Sequence, residues 1–315
     1  MISLTLRPPR LWPSLMASPT ADIPHSPTPA AGLGTLASPA SSCLTRDFTK
    51  PVLALSDGEL LLKVRSLDDR AYSTVDLVGP SLIATPVVAQ RVGIAGIVEE
   101  ARSARCGFVA GDEVFGATDT ALRRTDDGRV VVRASMMSAK PRRLDFERSA
   151  SLSIAATCAW QMLFGIGRID PGETVLVIGA EPLVGALALQ LAAAFGVRST
   201  GVVSCNSAQA WRLPGACRMI DSTPGRLDAS CRRAAVVIDT VGGSLYRRAA
   251  RSMPPGAVLV SCVERGSRAR AEDPDGPVRF HTARVTTRTL GHVAALIDSA
   301  PADIDFGVAM GLSAA

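Results

Sequence analysis

The chain has 315 residues, 47% of them apolar and 20% charged, enough to bury a sizeable core in two domains and too apolar for a wholly disordered protein. Its net charge of +5 is carried by 31 arginines against three lysines, at 50, 63 and 140. Pairs such as Arg142-Arg143 and Arg232-Arg233 read as solvated faces, and no lysine-rich run or aromatic-interleaved basic patch argues for a nucleic-acid partner.

Residues 1–50 are rich in Pro, Ser, Ala and Thr and lack periodicity. Stretches such as Pro24-His-Ser-Pro-Thr-Pro29 cannot bury enough apolar surface to offset ordering entropy, so this part is expected to be a disordered leader or a stretch read from a misplaced start. Pro8, Pro9 and Pro13 interrupt the apolar region that a signal peptide requires, and no apolar run reads as long enough to span a bilayer. A cytoplasmic protein with no membrane partner is expected.

Residues 51–145 carry short β-type runs at 60–65, 94–99, 113–115 and 129–133, with turn signals at Gly111-Asp112 and Asp126-Asp-Gly128. They predict a small antiparallel barrel of about a hundred residues. Residues 146–292 read as a Rossmann-type doubly wound parallel sheet. A helical pattern over 145–164 is followed by strands at 174–178, 199–203, 217–220, 235–238 and 257–262, alternating with helices. The stretch 204–235 is short for two crossovers, so one helix there is expected to be clipped. Residues 293–315 begin a return to the barrel and are expected to stop short of it. Straddling the start of this stretch, 289–298 has the apolar spacing of an amphipathic helix.

The chemistry concentrates in Glu173-Thr-Val-Leu-Val-Ile-Gly-Ala-Glu-Pro-Leu-Val-Gly185, a buried strand running into a glycine turn and a helix N-terminus. Such a turn offers backbone N–H groups to a dinucleotide pyrophosphate. A second strand follows Gly196, and Val236-Val-Ile-Asp-Thr-Val-Gly-Gly243 lies at nucleotide-fold distance, so a nicotinamide dinucleotide is the expected ligand. Seven cysteines are scattered at 43, 106, 158, 205, 217, 231 and 262 without a Cys-x-x-Cys pair, and the three histidines stand at 25, 281 and 292. That distribution predicts reduced thiols and no zinc site. Trp160 reads as core, and His281 and His292 as surface or packing positions.

Taken together, Gly93-Ile-Ala-Gly-Ile-Val98, Ala110-Gly-Asp-Glu-Val-Phe-Gly116, Cys158-Ala-Trp-Gln-Met-Leu-Phe164, Gly172-Glu-Thr-Val-Leu-Val-Ile-Gly179 and Asp239-Thr-Val-Gly-Gly243 resemble, in order and spacing, the zinc-free medium-chain dehydrogenases/reductases of the quinone oxidoreductase (zeta-crystallin-like) branch. The resemblance covers residues 53–313. It implies a chaperonin-10-like (GroES-like) barrel on a Rossmann domain, with NADPH in the cleft, and hydride transfer to a quinone, enone or related carbonyl substrate. A homodimer through the Rossmann edge strand after Val278 is also implied. NADPH is favoured over NADH because no acidic residue follows the second nucleotide-fold strand.

Carried onto this sequence, the cofactor-binding positions are Cys158, Gly179, Ala180, Leu183, Val184, Gly185, Ser204, Asn206, Arg212, Thr240, Val241, Gly242, Cys262 and Val263. The catalytic positions are Asp68 and Tyr72, with Tyr72 placed to donate to a substrate oxygen. The family turn Gly-Ala-Ala-Gly-Gly-Val-Gly is replaced by Gly179-Ala-Glu-Pro-Leu-Val-Gly185. Pro182 removes a donor, and a Glu181 carboxylate about 6 Å from a phosphate would add ~3 kcal/mol of repulsion per charge at an effective dielectric of about 20. An active reductase and a non-catalytic relative that binds nucleotide weakly or serves as an interaction module both remain open on these residues.

Overall fold

The computed structural model describes residues 55–72, 91–102, 106–119, 123–124, 128–180, 183–203, 215–263, 278–281, 283–300 and 306. The leader 1–50 and the tail 307–315 lie outside them. Two six-stranded sheets flank a long central helix.

The first sheet is antiparallel. It comprises β1 (Glu59–Tyr72), β2 (Arg91–Ala101), β3 (Glu113–Asp119), β4 (Arg123–Arg124), β5 (Arg129–Arg133) and β6 (Met137–Ala139), in the order β4-β5-β1-β2-β3-β6. Alternate residues Leu60, Leu62, Ile94, Val98, Val114, Val130 and Val132 face one apolar cluster, as the period of a pleated strand requires. β1 runs to Tyr72, well beyond the apolar run at 60–65 that announces it, because Leu67 and Asp68 continue the pairing opposite Ile94 and Gly93.

Helix α1 (Phe146–Trp160) is started by Asp145, whose carboxylate accepts from the Arg148 N–H at 2.7 Å. A π-helical turn, Gln161–Ile166, continues it. Together these 21 residues form a helix long and apolar enough to cross a membrane, which corrects the expectation that no run is. The sequence conceals this because serines and threonine interrupt the apolar run. Their hydroxyls bond back to the helix's own start and interior: Ser149 to the Asp145 carbonyl at 2.6 Å, Ser153 to Ala150 at 2.8 Å, and Thr157 to Ser153 at 2.7 Å. Most of this helix is buried inside the protein.

The second sheet is wholly parallel. Its strands are β7 (Thr174–Ile178), β8 (Arg198–Val203), β9 (Arg218–Asp221), β10 (Val236–Asp239), β11 (Val258–Ser261) and β12 (Val278–Phe280), in the order β12-β11-β10-β7-β8-β9. Helices α2 (Leu183–Ala194), α3 (Pro224–Cys231), α4 (Gly243–Ser252) and α5 (Thr287–Ser299) complete the fold. One apolar core joins Ala95, Phe115 and Ala117 of the first sheet, through α1, to Val175, Val177, Ile238 and Val260 of the second. Phe164, seated between Trp160 and Phe195 with ring centroids 4.5 Å from each, fixes the end of α1 against α2.

Candidate functional site

Strand order reverses between β7 and β10, so the chain leaves these neighbours in opposite directions and a crevice opens at their C-terminal ends. β7 delivers Gly179 there with φ of +78°, in the left-handed region that favours glycine. A Cβ at Gly179 would stand 2.4 Å from both Thr240 Oγ1 and Val241 Cγ2, so the close approach of the two loops also depends on this glycine. The N–H groups of Gly179 and Ala180 both donate to the Val202 carbonyl at 3.1 Å. α2 then starts against the turn itself, since a Cβ on Gly185 would lie 1.9 Å from the Gly179 carbonyl oxygen. Val184 and Gly185 are buried there, and Leu183 is half-buried.

Asp239, at the end of β10, is fully buried. One of its carboxylate oxygens accepts from the N–H groups of Val241 at 3.1 Å and Gly242 at 2.9 Å, and the other accepts from the Ser261 hydroxyl at 2.7 Å. The Thr240 hydroxyl donates to the Gly179 carbonyl at 2.8 Å, and the Cys262 N–H to the Asp239 carbonyl at 3.2 Å. Three strand ends, 178–180, 239–242 and 261–263, are thus held as one polar-stitched rim. A buried carboxylate with three charge-assisted bonds is satisfied rather than orphaned.

Below the rim lies sulfur. The Cys158 thiol, on α1, points at the Met162 thioether 3.8 Å away. The Cys262 thiol hydrogen-bonds to Cys158, and that bond together with burial pushes it well above the usual thiol range. The raised Cys262 thiol is not a thiolate nucleophile, and Cys158 is buried in the core. His281 follows β12, its N–H bonded to the Ser261 carbonyl at 2.8 Å, and burial holds its imidazole down to about 4. At neutral pH it is uncharged. His292 packs on the Trp160 ring at 5.4 Å between centroids.

Of the residues singled out by sequence, the structure brings together Cys158, Gly179, Ala180, Leu183, Val184, Gly185, Thr240, Val241, Gly242, Cys262 and Val263. Asp68 is buried on β1 opposite Gly93, and the backbone of Tyr72 pairs with Arg91; no described contact joins either to the rim. Ser204, Asn206 and Arg212, like Glu181 and Pro182, lie outside the described residues. Sequence reading assigned no role to Ser261 and did not foresee that Asp239 clamps β11 as well as its own turn. An aspartate ending an otherwise apolar strand was the available signal. Among the described residues no group of three His, Cys, Asp or Glu side chains could hold a metal ion.

No family model matches the chain. It is 32% identical over 163 residues to a mitochondrial NAD(P)H oxidoreductase of Bos taurus, covering 48% of this chain and 40% of that one. A quinone oxidoreductase of Homo sapiens is 28% identical over 116 residues, covering 37% of this chain and 35% of its own length. The chain therefore spans less than half the length of these curated relatives. Among solved structures, the quinone oxidoreductase of Escherichia coli complexed with NADPH superposes with a TM-score of 0.57 at 20% identity, over 82% of this chain and 83% of that one, a likeness of fold.

Proposed function

Because the chain belongs to the medium-chain dehydrogenase/reductase superfamily, alongside its quinone reductases, we propose that it is an NADPH-dependent oxidoreductase reducing a quinone, enone or related carbonyl acceptor. The observation that carries this reading is the closed glycine turn at the switch point. Gly179 and Gly185 let the turn, the 240–241 loop and the start of α2 approach more closely than any Cβ would allow, at the C-terminal end of β7. These residues fit a dinucleotide.

The first turn of α2 would hold the pyrophosphate, with Gly179 and Ala180, their N–H groups engaged by the Val202 carbonyl, shaping the turn beneath it. Thr240, Val241 and Gly242 would border the nicotinamide half, their loop fixed by Asp239. When bound, the coenzyme supplies the hydride. What the chain contributes is register between donor and acceptor, and a dry site. Cys158, Met162 and the half-buried Cys262 would form the floor beneath the rim. In this reading Asp68 and Tyr72 reach the acceptor oxygen from the first sheet. A homodimer along β12 would leave this crevice intact.

The test is titration of the purified protein with NADPH, followed by fluorescence, and then addition of a simple naphthoquinone or an unsaturated ketone. Saturable binding with acceptor-dependent loss of NADPH is expected. A second reading, a dinucleotide binder without turnover, is favoured by Glu181-Pro182-Leu183 in place of the family's small residues. Binding without turnover on either acceptor class would select it, and no binding at millimolar NADPH would overturn both.

A further inference from the structure

Away from the crevice, towards the opposite ends of the parallel strands, the sheet face between β7, β8, β9 and α3 is left partly open. The cleft there has a volume of about 610 Å³, within the range that takes a small molecule. Its opening follows from the chain: α3 has only eight residues, the clipped helix that the short 204–235 stretch foretold. Gly225, in its first turn, adds no side chain to fill the gap.

The lining is one-signed. Arg198, Arg218, Arg226 and Arg233 border the cleft, and no carboxylate does. Arg226 is paired with Asp221 at 2.9 Å, just outside. The guanidinium groups of Arg198, Arg218 and Arg233 have no ion-pair partner among the described residues. In register, Arg218 stands opposite Thr200, two residues beyond Arg198 on the neighbouring strand, so the Cα atoms of the two arginines lie about 8 Å apart. That spacing suits two adjacent anionic groups. The hydroxyls of Thr174, Thr200 and Ser230 add neutral donors between them.

One face of α3, carrying Gly225, Arg226, Ala229 and Ser230, runs along the cleft, with Arg233 just past its end. The first turn already has an anion beside it, because the Asp221 carboxylate accepts from the Thr223 N–H at 3.0 Å and pairs with Arg226. What the cleft offers a ligand is therefore its three guanidiniums without an ion-pair partner.

We propose that this cleft is a second binding site, for a small anion bearing two or more phosphate groups, separate from the dinucleotide crevice. Arg198 and Arg218 engage adjacent phosphates, and Arg233, just past the end of α3, closes over them. The size of the cleft sets the ligand class, because a concave site of this volume encloses a small molecule, whereas a nucleic-acid strand needs an extended groove.

The probe is inorganic tripolyphosphate, titrated calorimetrically into the full chain at low salt. One-site binding that weakens steeply with added salt is expected, and it should fall at least tenfold in Arg198→Ala/Arg218→Ala. NADPH affinity should stay within twofold in that double variant. All the substituted side chains are exposed, so the melting temperature, measured alongside, should not move. Tripolyphosphate binding that is absent, or unchanged in the double variant, would overturn the proposal. Loss of NADPH and tripolyphosphate binding together would also overturn it, by placing both in one site. So would a short single-stranded DNA that binds tenfold more tightly than tripolyphosphate through the same arginines, which would make the face a nucleic-acid surface.

Discussion

Replacing Gly185 by alanine tests whether the closure of the turn is a matter of backbone distance. The new Cβ would meet the Gly179 carbonyl oxygen at 1.9 Å, and the Gly179 carbon and Ala180 Cα at 3.0 Å. All three are backbone atoms, so no side-chain rotation relieves the contact, and the first turn of α2 must retreat by about 1.3 Å to restore an ordinary separation of roughly 3.2 Å. The retreat also opens a gap beneath Val184, Leu187 and Ala188, each fully buried, or nearly so. Overpacking of this kind costs about 1–3 kcal/mol, and a gap near 1 Å forfeits up to about half the dispersion of the affected contacts. We therefore expect a loss of about 2–4 kcal/mol by urea unfolding, and NADPH binding weakened at least tenfold. Gly225→Ala is the control. It meets open space, lies in a helix, and should stabilise by up to about 1 kcal/mol through propensity alone. A Gly185→Ala protein within about 0.5 kcal/mol of the parent, with unchanged NADPH affinity, would refute the argument from close approach.

NADPH should bind more tightly than NADH by no more than about 1–2 kcal/mol, because no lysine follows β8; equal dissociation constants at one ionic strength would remove that assignment. Asp239→Ala leaves two N–H groups and a hydroxyl without their acceptor and should cost about 2–5 kcal/mol, with Asp239→Asn milder because an amide keeps one acceptor; equal losses in urea melts would show that the carboxylate stitches nothing together. His281 gives a pH signature. Its folded value of about 4 lies below the unfolded 6.5, so the unfolded chain takes the proton first; stability is full above pH 6.5 and falls as pH drops towards 4, by up to about 3 kcal/mol. The His281→Gln protein should lose that slope in urea melts at pH 7 and 5, and a slope unchanged by the substitution would place its origin elsewhere.

The strands of the parallel sheet were legible because β7 and β10 are covered on both faces, and such strands write themselves as nearly unbroken apolar runs. The glycine turn was legible for a related reason: Gly179 and Gly185 stand where a β-carbon would strike backbone. What escaped reading was held by long-range partners rather than by local pattern. β12, only Val278, Arg279 and Phe280, was reached through the family resemblance and not through a local pattern, because backbone pairing to residues 259–261 defines it. The length of β1 depends on β2, whose Ile94, Gly93 and Arg91 pair with Leu67, Asp68 and Tyr72 from 19 to 27 positions away. Asp239 closes an apolar run in the sequence, and its hold on Ser261, 22 positions on, could not be seen until the sheet put β10 beside β11. The apolar character of α1 was masked because hydroxyl side chains count as polar in a sequence even when the helix itself accepts their protons.

The shared helix has a thermodynamic consequence. A Cβ on Gly93 of β2 would fall 2.1 Å from the Ala150 carbonyl, so α1 is seated directly on the first sheet while its other flank carries the core of the second. Each sheet also has an apolar cluster of its own, but neither can withdraw without exposing this helix. Melting one half should then drag the other with it in a single calorimetric transition. Free energy gained at the crevice, on the second sheet, is for that reason delivered also to β1 and β2, which never touch the ligand-bearing turn.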